Sequence, residues 1–120
     1  MSKFETRNKK DHTGLTFTGV LDTCGKVYNA YGCIVMYRFE DIMYGGIAHH
    51  ADFQIEKQAI KLGMKPGDYY EFEAIYTEYE YFDYVNNQWL TTYKIHHPRN
   101  FRKVLPPNPE RIIRIHLNSI

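Results

Sequence analysis

From Gly67 to Trp89 aromatic or β-branched residues alternate with charged ones, in the order Gly-Asp-Tyr-Tyr-Glu-Phe-Glu-Ala-Ile-Tyr-Thr-Glu-Tyr-Glu-Tyr-Phe-Asp-Tyr-Val-Asn-Asn-Gln-Trp. Period two is the signature of a half-buried strand, because successive side chains point to opposite faces. Asn86-Asn87 reads as a two-residue hairpin turn, since Asn tolerates positive φ. Opposed residue numbers then sum to 173, setting Tyr84 against Trp89, Phe82 against Thr91 and Glu80 against Tyr93. On that register Phe72, Ala74, Tyr76, Phe82 and Tyr84 share an inner face with Trp89, Tyr93 and Ile95, interrupted by Glu78 and Glu80. Tyr79, Tyr81, Thr92, Lys94 and His96 face outward. A strand over residues 67–83 spans about 55 Å at ~3.3 Å per residue, more than a small barrel needs. A bulge or a protruding tip is therefore expected near Glu78 to Tyr81.

Upstream, the same alternation predicts strands over Leu15 to Leu21, with Leu15, Phe17 and Val20 inward, over Tyr31 to Phe39, and over Ile42 to about Ala51. Asp22-Thr-Cys-Gly25 and Glu40-Asp41 read as the turns between them, and Tyr44-Gly-Gly-Ile47 as a bulge in the third strand. One segment has helical spacing instead. Ile55, Ala59 and Leu62 recur within Phe53 to Leu62, and Gly63 stands where a C-cap belongs. Lys65-Pro-Gly-Asp68 is a turn, and Pro106-Pro107 excludes helix from an extended basic connection after Pro98.

Three strands, a helix and two strands define an all-β chain with one short helix. That element order is the plan of a five-stranded OB-fold-like β-barrel, whose helix lies between the third and fourth strands, here with a long hairpin joining the fourth and fifth. The 120 residues, with eleven Tyr and seven Phe, suit one such domain. We expect a flexible basic arm at 1–12, the barrel at 13–104, and an extended segment at 105–120 whose Arg111–Leu117 alternation predicts an edge strand. No run of about 18 apolar residues and no signal-peptide pattern occurs, so a soluble, cytoplasmic protein is expected. Cys24 and Cys33 are read as free thiols, with Cys33 buried.

A set of short motifs runs through residues 46–104: His50-Ala-Asp-Phe53, Leu62-Gly-Met-Lys-Pro-Gly-Asp68, Phe72-Glu-Ala-Ile-Tyr-Thr-Glu-Tyr79 and Thr92-Tyr-Lys-Ile-His-His-Pro98. It resembles small OB-fold-like proteins of phages and mobile elements of Gram-positive bacteria. Phe53, Gly67, Asp68, Phe72, Ala74, Tyr79, Tyr93, Lys94 and Pro98 fit the pattern, while Asp52 replaces an aromatic residue and Tyr76 a Val. The resemblance implies a barrel of mobile-element origin and carries no activity.

Net charge is +1, yet its distribution is uneven. Residues 1–10 carry a local charge of +3, residues 94–120 one of +5, and residues 67–83 one of −6. The chain therefore reads as basic at its ends and acidic at its waist.

Metal chemistry is suggested by His49-His50-x-Asp52 and His96-His97, because imidazole and carboxylate ligate Zn²⁺ and non-haem iron. Adjacent residues on a strand face opposite ways, so each His pair offers a given ion one ligand, and no metal or other cofactor is expected. Serine occurs only as Ser2 and Ser119, and neither cysteine lies in a nucleophile elbow. With no complete catalytic constellation, no enzyme is expected.

Single-stranded nucleic acid requires aromatic faces for stacking and a basic groove for phosphates. The candidates are Tyr37 with Arg38, Tyr79 with Tyr81, Lys94, and the run Arg99, Arg102 and Lys103. The first expectation is non-enzymatic binding of single-stranded DNA or RNA in phage or mobile-element replication or recombination. The alternative is a phage-encoded protein–protein inhibitor of a host defence nuclease, of anti-CRISPR or anti-restriction type, using the acidic aromatic ribbon. A homodimer formed through an exposed strand edge is an expectation that goes with this alternative.

Overall fold

Alternation becomes strand along most of the chain. A computed structural model describes residues 5–106, which form β1 (Thr6–Asn29), β2 (Gly32–Tyr44), β3 (Ile47–Phe53), α1 (Glu56–Leu62), β4 (Tyr69–Asp83) and β5 (Gln88–Val104). The sheet is antiparallel in the order β3-β2-β1-β4-β5 and curls into a half-barrel. β1 is shared by both halves: it pairs with β4 from Thr6 to Val20 and with β2 from Val20 to Asn29. Just before the changeover sits Gly19, where a Cβ would lie 2.9 Å from Ile42 Cγ1 and 3.3 Å from the Glu40 carbonyl oxygen. The close approach of β2 to β1 there requires glycine.

Curling brings the inner faces together around aromatic rings. Phe17, Phe39, Phe53, Phe72 and Phe101 pack with ring centroids 5.0–6.3 Å apart, so β3 and β5 meet across the core although no ladder joins them. Buried Tyr70 keeps its hydroxyl satisfied by accepting the Lys65 N–H at 3.0 Å. Helix α1 is shorter than its pattern, and Gly63 caps it in the left-handed conformation at φ 61. No helix among the described residues is long and apolar enough to cross a membrane.

Several expected turns are bulges. Register shifts at Leu21/Thr23 and Phe39/Ile42 absorb Asp22 and Glu40-Asp41 into continuous strands, with Asp41 at φ 54. The strands turn later, at Ala30-Tyr31 and at Gly45-Gly46. Asn29 Oδ1 accepts the Tyr31 N–H at 2.8 Å, and both Gly45 and Gly46 have positive φ. Leu21, not Val20, enters the core because it shares parity with Leu15 and Phe17, and Cys33 is exposed rather than buried. Residues 6–12, expected as a flexible arm, are strand, because β4 supplies them with a ladder and Glu80 accepts from both Arg7 and Asn8. The expected edge strand at 111–117 lies outside the described residues.

The long hairpin closes on a four-residue loop, Tyr84 to Asn87, not on Asn86-Asn87 alone. Asp83 organises it by accepting from the Val85 N–H at 3.0 Å and from Asn86 Nδ2 at 2.8 Å. Opposed residue numbers sum to 173 at the base, from Tyr69↔Val104 to Glu71↔Arg102, and to 171 from Ile75↔His96 to the tip. Two extra residues on β5 account for the change, with His97 and Asn100 both at φ 55. A shift of two preserves side-chain parity, so Phe72, Ala74, Tyr76 and Ile95 are core as expected, while Tyr84 is left exposed in the loop.

Candidate functional site

Cross-strand pairing rearranges the charge map. Arg102 Nε donates to Glu71 at 2.7 Å, Arg99 meets Glu73 at 3.4 Å and Lys103 meets Asp68 at 3.4 Å. Arg7 donates to Glu80 at 3.0 Å and stacks over Trp89, with its guanidinium 3.9 Å from the ring. Four carboxylates of the acidic waist thus face Arg7, Arg99, Arg102 and Lys103 across the ladders, which neutralises them locally. The Arg102 hydrogen bond holds the Glu71 carboxyl below its ordinary value, and Arg7 does the same for Glu80. Pairs as exposed as these are screened by solvent and add little to stability.

Five of the eight sequence candidates are engaged by this pairing or by the core. Tyr37 is 6% exposed and cannot offer a ring to a base. Arg38 bridges Glu40 at 2.7 Å and Asp52 at 3.3 Å, while Arg99, Arg102 and Lys103 carry the carboxylates named above. The other three, Tyr79, Tyr81 and Lys94, are brought together on the outer face of β4 and β5. Tyr79 and Tyr81 share parity, and Lys94 is opposite Thr77, one pleat along.

That face contains a depression of about 350 Å³ lined by Thr6 and Lys9 of β1, Thr77 and Tyr79 of β4, and Lys94, His96 and His97 of β5. A bulge in β1 between Arg7 and Lys10, with Asn8 at φ 54, points Arg7 and Asn8 at Glu80 and leaves Lys9 on the depression. Neither Lys9 nor Lys94 has a carboxylate within 4.0 Å among the described residues. Sequence reading missed Lys9 and Thr6, since nothing apolar marks that stretch as a strand. A larger depression of about 490 Å³ adjoins it across Thr13, Gly14, Pro98 and His97, but the Glu73–Arg99 pair occupies its rim.

The floor is a hydrogen-bonded chain. Thr77, 1% exposed, has its Oγ1 2.6 Å from Asp11 Oδ1 and 2.8 Å from His96 Nε2. An ionised carboxylate only accepts, so Thr77 donates its one proton to Asp11 and accepts from His96 Nε2–H. His96 Nδ1 is then an acceptor, and it is hydrogen-bonded to His97 Nδ1. Burial lowers the His96 pKa from its ordinary value, and His97 and Lys94 lower it further. Strand alternation predicts the adjacent imidazoles on opposite faces. The left-handed backbone of His97 overrides that alternation and sets the rings side by side, with centroids 4.7 Å apart.

A second aromatic group, in which Tyr44 and His49 join the inward Tyr76 and Tyr93, closes the inner face toward the hairpin tip. Tyr44 stacks on Tyr76 at 4.1 Å, and His49 meets Tyr76 and Tyr93 edge-on at 5.4 and 5.6 Å. Burial is the main reason that the Tyr76 hydroxyl is pushed up to about 12, which keeps it neutral. His49 serves here as a ring packed among rings, while His50 and Asp52 are exposed on β3. No group of three or more His, Cys, Asp or Glu converges among the described residues.

Comparison of the chain with protein-family models, curated proteins and solved structures finds no match. The resemblance of residues 46–104 to small mobile-element proteins rests on its motif residues alone.

Proposed function

We propose that this protein is a non-enzymatic OB-type barrel that binds single-stranded nucleic acid on the outer face of β4, β5 and the start of β1. Tyr79 and Tyr81 stack bases there, and Lys9 and Lys94 contact phosphates. One observation carries the reading: two lysines free of carboxylates flank a half-buried tyrosine in a depression, whereas Arg7, Arg38, Arg99, Arg102 and Lys103 are all paired. The strand order, the shared β1 and the helix between β3 and β4 fit the OB plan. Stacking and phosphate contact together need no sequence specificity.

Titration of labelled oligo-dT at two salt concentrations tests this. With two phosphate contacts, log K is expected to fall with log salt at a slope of about −1.4, from ~0.7 per contact on single strands. Absence of binding at tens of micromolar (roughly the weak, non-specific range) sinks the reading.

A protein partner is the second reading, now favoured by a different element from the acidic ribbon, four of whose six carboxylates are paired with Arg or Lys. The β1–β2 hairpin ends in Tyr28 and Tyr31, 75% and 99% exposed, and β2 is unpaired by β3 before Tyr37. A free strand edge beside apolar side chains favours addition of a second copy. Sedimentation should then show a dimer that Tyr31→Ser weakens. A monomer at every concentration excludes it.

A further inference from the structure

We propose that the depression is a proton-gated phosphate subsite, in which the His96–His97 pair takes up one proton, adds a third cation beside Lys9 and Lys94, and tightens the hold on a backbone phosphate. The inference rests on the nucleic-acid reading and adds to it a regulated contact. Its basis is the hydrogen-bond chain. In the neutral pair His96 Nε2–H is given to Thr77, so His97 Nδ1–H must be given to His96 Nδ1. His97 Nε2 is the one imidazole nitrogen not used in this chain. A proton added there leaves every existing hydrogen bond intact and strengthens the bond to His96, because a charged donor binds more tightly. A second proton, on His96 Nδ1, would set N–H against N–H and break that bond. The pair is therefore a one-proton device, and the depressed His96 pKa agrees with the ring that stays neutral.

Lys94 on β5, Lys9 and Asp11 on β1, and Thr77 and Tyr79 on β4 face the pair, and Glu73 of β4 and Arg99 of β5 lie with His97 around the adjoining depression. Of the two carboxylates, Asp11 is engaged by Thr77 and Glu73 by Arg99 and Asn100. A phosphate oxygen entering the depression thus meets two fixed cations and the imidazole edge of exposed His97. Imidazole is the side chain whose ordinary titration range lies between about pH 5 and 8, which sets the two pH values of the test.

The test is fluorescence anisotropy of rhodamine-labelled oligo-dT without terminal phosphates, at about pH 8 and about pH 6 and a constant salt of about 0.15 M. One additional neutralised phosphate adds ~0.7 to the salt slope, so affinity is expected to rise about fourfold at the lower pH. His97→Asn, chosen because Asn accepts positive φ, should flatten the pH dependence. His97→Lys should bind at the tighter level at both pH values. A wild type with equal affinity at the two pH values, or a His97→Asn variant that keeps the rise, overturns the gate. Binding persists in both of those outcomes, so the nucleic-acid reading survives them. Absence of binding at both pH values removes that reading itself. A parallel 5′-phosphorylated oligomer separates two sources of the same chemistry: a larger rise supports a subsite for a strand end, and an equal rise one for an internal phosphodiester.

Discussion

Replacing Phe72 by Ala is expected to lower the free energy of unfolding by about 3–5 kcal/mol, the range for truncating a fully buried phenylalanine. Phe72 is 0% exposed, and its ring meets Phe17 of β1, Phe39 of β2, Phe53 of β3 and Phe101 of β5. Four strands therefore lose a contact at once, and a sheet curled around one ring cannot collapse evenly onto the void. The stacked Phe101 contact, at 5.0 Å, ties β5 to the rest where no ladder reaches β3. Domains of this size have a total stability of roughly 5–15 kcal/mol, so the loss is a large fraction of it. Urea unfolding followed by circular dichroism measures the change. A loss below about 1 kcal/mol, ordinary for a surface substitution, would show that this ring is not the centre of the core.

Tyr79→Ala carries the second large effect, on binding rather than on folding. Loss of one base–aromatic stack is expected to cost about 1–3 kcal/mol of binding free energy, a weakening of about 5- to 150-fold. The ring is uncharged, so the salt dependence of the remaining binding should be unchanged. Lys94→Ala should do the reverse, lowering the slope of log K against log salt by about 0.7. The Tyr79 side chain stands half-buried on the outer face and touches none of the core rings described above, so its removal should leave the unfolding transition near that of wild type. Oligo-dT titration of both variants measures these effects. Wild-type affinity in Tyr79→Ala would remove the stacking platform from the proposal.

The candidate site is legible in the sequence where local rules govern it. Alternation alone puts Tyr79 and Lys94 on the outer face, and they lie in one depression. Thr77 shares their parity, yet a lone threonine gives no signal that its hydroxyl joins Asp11 to His96. Lys9 and Thr6 escape such a reading, because a strand with no apolar alternation has no period to read. Arg99, Arg102 and Lys103 look like a basic run in the sequence because the carboxylates that pair with them lie 26 to 35 positions earlier in the chain.

Alternation determined the strand character of this chain and the division of the long hairpin into a core face and an outer face, and a C-cap glycine determined the Gly63 end of its helix. These features survive a misplaced turn because parity depends on period two and a register error of two residues leaves it unchanged. Tertiary structure decided where strands stop, which charges meet and which side chains break alternation. Extra residues at Asn8, Asp41, His97 and Asn100 are accepted in the left-handed conformation, and each re-aims the side chains beyond it on its strand. Whether a residue is bulged or turned depends on the strand that comes to lie beside it, and that partner is chosen by burying Phe39 and Phe72 in a common core. His96 and His97 are hydrogen-bonded to each other for the same reason: one left-handed residue, stabilised by a distant ladder, puts two neighbours in sequence on one side of the sheet.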